Sequence, residues 1–283
     1  MKTQKFDGVL ALGGFVAASV MPGILKARRS GGIKGFDGRI VLLNLDRIPG
    51  KANRQIARKA DVVLSAVDTV QTGFASMTTG LPIRSAAMAS GSKSHCRLEL
   101  GLDPDRPTLL ITGASQGASS LNRLMSRLIE EFPEPMRQFQ VIHLSGQQSQ
   151  EELQQLYASA GIKAEVRPFM HDMGLAWGAA SLTVSRAGAN SVAEIQANAV
   201  PAIFLPYPHH RDQHQVHNAE PLVEAGGSHI VQDRDDEATA RDVGQLLLNT
   251  FQDSDSLKAM SEALIRQARP EAAETVVSVL LKR

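Results

Sequence analysis

Apolar residues along the chain follow two rhythms. Short runs that are apolar on both faces recur at Gly8–Leu12, Arg39–Leu43, Asp61–Leu64, Thr108–Thr112, Phe139–Leu144, Ala164–Arg167, Leu182–Val184 and Ala202–Leu205, the pattern of buried parallel strands. Between them lie amphipathic stretches, with helical periods clearest in Ser119–Glu130, Gln150–Ala160, Ser191–Ala199, Gln213–Ala225, Asp242–Phe251, Ser256–Ala268 and, beyond Pro270, Ala272–Leu281. Strand and helix in alternation predict βα units around parallel sheets, an α/β fold. No unit of about 20–50 residues repeats, which excludes solenoids and propellers. No apolar run approaches the roughly 18 residues that cross a bilayer, because Phe15 to Leu25 is broken by Pro22 and followed by Lys26, Arg28 and Arg29.

With 283 residues, the chain has room for about two domains. The polar segment Ser90–Pro107 carries Gly91, Gly101, Pro104 and Pro107 and is expected to be helix-poor. It sets the predicted boundary between 1–106 and 107–268, with 269–283 as a separate C-terminal helix.

Charge sharpens this division. The chain has 30 Lys and Arg against 29 Asp and Glu, which argues against a cation-covered nucleic-acid binder. Residues 1–60 nevertheless hold twelve basic and three acidic side chains, a net of +9 that leaves −8 for the remainder. Lys26, Arg28, Arg29, Lys34, Arg39, Lys51, Arg54, Arg58 and Lys59 could together attract an anionic membrane surface, or could be a scattered solvated surface. The single cysteine, Cys96, forms no internal disulfide and fits a reducing compartment. Lys2 and Lys5 ahead of Ala17-Ala18-Ser19 imitate a signal peptide, but Asp7 and Gly13-Gly14 interrupt the apolar region export needs. A strand entering a glycine turn accounts for that segment better.

The most informative segment is Thr108-Leu-Leu-Ile-Thr-Gly-Ala-Ser-Gln-Gly-Ala118, a strand entering a glycine-rich turn that opens a helix. Three readings compete. The turn could hold a diphosphate on backbone N–H groups and the helix dipole, with the Ser115 hydroxyl as an added donor. It could be a G-x-S-x-G nucleophile elbow with Asp172 and His214 following in hydrolase order. It could also be a purely structural βα turn. Leu12-Gly13-Gly14-Phe15-Val16 is a second such turn but lacks the full dinucleotide spacing. In Ser185-Arg-Ala-Gly188-Ala-Asn-Ser191-Val-Ala-Glu194, Ser191 and Glu194 have capping-box spacing. Alternatively Glu194 accepts hydrogen bonds from a ribose diol while the free N–H groups of the turn face a ligand. His209, His210, His214 and His217 crowd one stretch, yet without H-E-x-x-H or a nearby Cys a helix start lining a cleft is favoured over a metal site. Trp177 and the Met residues read as filling core or interdomain space, and Glu130-Glu131 and Asp233 to Glu237 as solvated ends and turns.

Six strings occurring in order, Leu110-Ile-Thr-Gly-Ala-Ser-Gln-Gly-Ala118 with Leu121-Asn122, Pro168-Phe-Met-His-Asp-Met173, Ser185-Arg-Ala-Gly188, Ser191-Val-Ala-Glu-Ile195, Pro201-Ala-Ile-Phe-Leu-Pro206 and Asp212-Gln-His-Gln-Val-His-Asn-Ala219, resemble the glycosyltransferase family that adds N-acetylglucosamine to the lipid-linked muramyl-pentapeptide precursor of peptidoglycan. Weaker echoes are Leu12-Gly-Gly-Phe-Val16, Pro49-Gly-Lys-Ala-Asn-Arg54 and Leu81-Pro-Ile-Arg84. The resemblance implies a GT-B fold, two Rossmann-like domains facing a cleft, with the last helix returning to the first domain. It implies UDP-N-acetylglucosamine as donor, the lipid-linked muramyl-pentapeptide as acceptor, no cofactor and no metal. The expected location is cytoplasmic, peripheral on the inner face of the cell membrane.

Carried over by motif, Ser115 and Gln116 contact diphosphate and sugar, and Arg84 contacts the donor. The Met170 backbone reads the uracil edge, and the helix start is presented by Gly188, Ala189, Asn190, Ser191, Val192 and Ala193. Glu194 holds the ribose hydroxyls, and His214 and Gln215 meet the GlcNAc hydroxyls. Gly13, Gly14 and Asp46 fall on the acceptor side, although Leu43-Asn-Leu-Asp46 replaces the family's His-Glu-Gln-Asn. The family's opening strand and glycine turn, which ends in a His thought to be the base, has no counterpart in this sequence. The first domain is therefore expected to be shortened and its sheet to expose an edge. A donor-binding homologue without transfer activity is the alternative, with a serine hydrolase using Ser115 a third.

Overall fold

The computed structural model describes residues 6–29, 38–70, 73–74, 76–113, 119–147, 149–209 and 212–281. The chain divides into two compact units, Met1–Pro82 with Arg269–Arg283, and Ile83–Ala268.

The first unit contains β1 (Gly8–Ala11), α1 (Gly14–Arg29), β2 (Arg39–Asn44), α2 (Lys51–Ala57), β3 (Val62–Ser65) and β4 (Met77–Thr78). The strands form one parallel sheet in the order β1-β2-β3-β4. Alternation along β2 divides its side chains between two layers. Ile40 and Leu42 pack with Met21 of α1 and Ile56 of α2, while Val41 and Leu43 meet Leu64, Val276 and Val279. Those last two valines belong to the C-terminal helix Ala272–Leu281, which Arg39 also holds by donating from Nη1 to the Val279 carbonyl at 2.9 Å. Among the described residues β1 pairs only with β2, and Phe6, Leu10, Leu12, Phe15, Val16 and Val20 around it are all exposed.

The second unit begins with a short 3₁₀ turn, Ser85–Ala87, and α3 (Lys93–Glu99). There follow β5 (Thr108–Thr112), α4 (Ser119–Glu131), α5 (Pro133–Met136), β6 (Gln140–Leu144), α6 (Gln150–Ser159), β7 (Ala164–Arg167), α7 (Met173–Ala179) and β8 (Leu182–Ser185). The unit closes with α8 (Ala189–Ala197), β9 (Ala202–Phe204), α9 (His214–Glu224), β10 (Ser228–Ile230), α10 (Glu237–Gln252) and α11 (Ser254–Gln267); the helix at 272–281 is α12. Its six strands are parallel in the order β10-β9-β8-β5-β6-β7. Chain order therefore runs outward from β5 in one direction and, after β7, resumes on its other side with β8. Leu110 and Ile142 point into a core shared with Trp177, Val192, Ile195 and Leu222, and Leu109, Ile111 and Val141 into one shared with Leu121, Met125, Val243 and Leu247.

Two expectations change here. The units divide at Pro82, not at 106, and the segment read as helix-poor contains α3. Small residues on α7 explain why. A Cβ on Gly174 would lie 2.2 Å from the Met88 carbonyl oxygen, and one on Gly178 2.5 Å from Cys96 Sγ, so residues 83–100 pack against α7 as only glycine allows. Buried Arg97 reinforces the contact by donating to the Ala179 carbonyl at 3.0 Å and Ser181 Oγ at 2.9 Å. The Asn198 side chain clasps the same segment through the Ala87 carbonyl and the Ala89 N–H, each at 2.8 Å. Strands β4 and β10 were not predicted; they span two and three residues, too short to carry an apolar rhythm.

Candidate nucleotide-sugar site

In an open parallel sheet, ligands bind beyond the carboxyl ends of the strands where chain order reverses. In the second unit that point lies between β5 and β8, which pair directly. Gly113, which leads into the glycine-rich segment, follows β5, and Arg186-Ala-Gly188 follows β8, so topology brings the strand ends that carry these two sequence motifs side by side. Ser115 and Gln116 lie outside the described residues.

The start of α8 departs from the capping-box expectation. The N-cap is Gly188, with no side-chain cap hydrogen bond, and Ser191 lies inside the first turn. Val192 is the first residue whose N–H reaches an i−4 carbonyl, that of Gly188 at 3.0 Å. The first-turn N–H groups of Ala189, Asn190 and Ser191 therefore have no intrahelical acceptor and concentrate positive potential there. Gly188 has ordinary extended dihedrals, φ −66° and ψ 149°, and a Cβ on it would meet nothing within 4 Å among the described residues. None of the described residues requires glycine at this position.

Glu194 does not reach back to cap α8. Its Oε2 accepts the indole N–H of buried Trp177 at 3.0 Å. Val192 and Ala193 complete the first turns, with Val192 buried and Ala193 half-buried. Met170, after β7, turns its side chain into the core containing Trp177 and Val192. Arg84 is the residue preceding the 3₁₀ turn, and the bonds of Asn198 to residues 87 and 89 hold this segment to the second unit.

At the start of α9, the Gln215 side-chain carbonyl oxygen accepts from the Ala187 N–H at 3.3 Å and the Tyr207 N–H at 2.9 Å. It braces the loops after β8 and β9. Gln213, the residue before the helix, has φ 47°, a left-handed conformation costly for a non-glycine residue and often found at binding sites. His214 Nδ1 lies 2.8 Å from Asp212 Oδ1, and hydrogen bonding to that imidazole holds the Asp212 carboxyl below the usual carboxylate range. The hydrolase order Asp172…His214 is thus not assembled through this nitrogen; its partner is Asp212. His217 similarly meets Glu220 at 3.1 Å. His210 lies outside the described residues.

One network here had no sequence signal. Arg186 donates from Nη1 to the carbonyls of Leu205 and Pro206 at 2.7 and 3.2 Å, and from Nη2 to Ser120 Oγ at 2.6 Å. Its Nη2 also lies 2.7 Å from Asp233 Oδ2, which accepts from Ser120 at 2.8 Å. Arg186 and Asp233 are buried, so Asp233 is a structural anchor and not part of a solvated turn. The pair ties the first turn of α4 to the ends of β8, β9 and β10; breaking a buried pair strands one charge.

On the first unit, Gly13 and Gly14 follow β1 with φ 82° and 72°, and Asp46 follows β2. A Cβ on Gly13 would fall 1.9 Å from Asn53 Oδ1. Asn53 donates to Asn44 Oδ1 at 2.8 Å, and Asn44 to the Asp46 carbonyl at 2.6 Å and Ser65 Oγ at 3.2 Å. Neutral amides and hydroxyls thus line the carboxyl ends of these strands.

The glycosyltransferase family 28 C-terminal domain matches residues 108–276. The chain belongs to this family. A UDP-N-acetylglucosamine--N-acetylmuramyl-(pentapeptide) pyrophosphoryl-undecaprenol N-acetylglucosamine transferase of Stutzerimonas stutzeri is 34% identical over 275 residues, covering 97% of this chain and 72% of the relative. The same-named protein of Methylococcus capsulatus is 35% identical over 286 residues, covering 100% and 74%. The crystal structure of Acinetobacter baumannii MurG superposes with a TM-score of 0.75 at 29% identity, over 98% of this chain and 74% of that one. The fold is GT-B, and family membership removes the serine-hydrolase alternative.

Proposed function

We propose that the chain transfers N-acetylglucosamine from UDP-N-acetylglucosamine to a lipid-linked muramyl-pentapeptide, the reaction for which its relatives are named. The observation that carries the donor assignment is the uncapped start of α8, with space at Gly188 that none of the described residues fills, at the chain reversal between β5 and β8. Unpaired N–H groups there suit a diphosphate, and they would oppose the charge that grows on the departing UDP as the acceptor hydroxyl attacks the anomeric carbon. No metal is required for that stabilisation. Glu194, the sixth residue of the same helix, supplies a carboxylate oxygen to the ribose diol, and the Met170 main chain the uracil edge. His214 and the Gln215 side-chain N–H₂ face the sugar hydroxyls. Ser115 and Gln116 complete the diphosphate cradle, and Arg84 adds a cation. The strand ends carrying Gly13, Gly14 and Asp46 take the acceptor.

Among the described residues no helix is long and apolar enough to cross a membrane. A peripheral attachment to the inner membrane face is supported by exposed Phe15, Val16 and Val20 on α1, whose last turn carries Lys26, Arg28 and Arg29. Lys34 lies outside the described residues.

Calorimetric titration with UDP and UDP-N-acetylglucosamine tests the donor site. Binding is expected, with Glu194→Ala weakening it about tenfold or more. Absence of binding at millimolar ligand would overturn the reading, and binding without turnover of a lipid-linked acceptor would reduce the chain to a donor-binding protein.

A further inference from the structure

Trp177 is buried on α7, yet its single polar atom is not idle: the indole N–H points at Glu194 Oε2, 3.0 Å away. The ring shares one apolar cluster with Met170, Val192 and Ile195. It therefore shares a core with the segment assigned to the base and is bonded to the helix assigned to phosphate and ribose. A glutamate side chain has three rotatable bonds, and an anchor on one oxygen removes most of that freedom before a ligand arrives. The anchor also leaves the other oxygen, Oε1, as the acceptor for a diol. We infer that Trp177 is a positioning residue of the donor site, presetting Glu194 so that the enzyme distinguishes a ribonucleotide from its 2′-deoxy counterpart. This rests on the assignment of Glu194 to the ribose.

Trp177 is also the one tryptophan of the chain, so its emission reports on its own hydrogen bond. The test has two arms. In the unsubstituted protein, UDP titration followed by tryptophan fluorescence and by calorimetry should give the same dissociation constant, with a smaller emission change for 2′-deoxy-UDP. In Trp177→Phe, which keeps an apolar ring but has no N–H, the preference for UDP over 2′-deoxy-UDP should shrink by about tenfold, the size of one hydrogen bond to a charged group. Donor KM should rise while kcat at saturation stays within about twofold. A purely structural tryptophan would lower the melting temperature in that variant and leave the ratio alone. Heat-detected UDP binding with silent tryptophan emission overturns the inference even if the variant does not fold. So does an unchanged ratio in a folded variant, and both leave the donor site standing. Failure of UDP to bind the unsubstituted protein overturns the donor assignment and this inference together.

Discussion

Gly188 is the residue where recognition and stability separate most cleanly. A methyl group there meets no atom of the described residues and no forbidden dihedral, so Gly188→Ala should melt within a degree or two of the parent protein while binding UDP about tenfold more weakly or worse, as calorimetry on both proteins would register. His143 shows the opposite case, a polar residue that serves only the fold. It is fully enclosed, with Nδ1 2.7 Å from the Tyr157 hydroxyl and Nε2 3.0 Å from Asn122 Oδ1, and burial pushes its pKa from 6.5 to about 3. Between those values the unfolded chain takes a proton that the folded chain refuses, so stability falls as pH drops through this window. His143→Gln should cost about 1–3 kcal/mol at neutral pH and flatten that part of the stability-versus-pH curve, measured by denaturant unfolding. Sequence spacing could not separate such roles. Ser191 and Glu194 have the interval of a capping box, but the helix begins at Ala189 and Glu194 bonds to a tryptophan 17 residues earlier. Only tertiary structure supplies that partner.

Between elements, close approach and charge decide what packs. Replacing a helical glycine with alanine normally stabilises by about 0.5–1 kcal/mol. Gly174→Ala should reverse that sign and cost about 1–3 kcal/mol, because the new carbon would meet the backbone carbonyl of Met88; thermal unfolding of the variant checks it. On the other face, Asp235 joins α4 to the start of α10 by accepting from Arg123 and from Arg127, the latter at 2.8 Å. Chiefly through the Arg123 hydrogen bond, its pKa is lowered to about 2. The stabilisation is present above the ordinary carboxylate range and is lost as pH falls toward 2. For a partly exposed pair, Asp235→Asn should cost about 1 kcal/mol at neutral pH and almost nothing near pH 2. Asparagine also tolerates the φ of 54° at this position. The alternation of strands and helices was legible because buried parallel strands are apolar throughout, as Leu109 to Ile111 and Val41 to Leu43 are. The packing of residues 83–106 was not, since a glycine on α7 signals nothing until the chain it admits is known.

For the whole molecule, the division into two units is not a division into two consecutive halves. The first unit uses both ends of the chain, and Val276 and Val279 cover Val41, Leu43 and Leu64. Ending the chain at Ala268 should therefore unfold the first unit and spare the second. Calorimetric melting should then show one transition fewer or one lowered, with UDP still raising the melting temperature of what remains. The near-neutral total charge concealed the basic first 60 residues, and charge patterning gave that much without coordinates. The placement of α12 has a further consequence during synthesis. Domains generally complete themselves in the order in which they are translated, but here residues 83–268 form a contiguous unit that can close while the sheet begun at Gly8 still lacks its last layer. The unit that starts first finishes last, its β2–β3 face uncovered until residues 269–283 have left the ribosome, which leaves that face open to aggregation in the nascent chain.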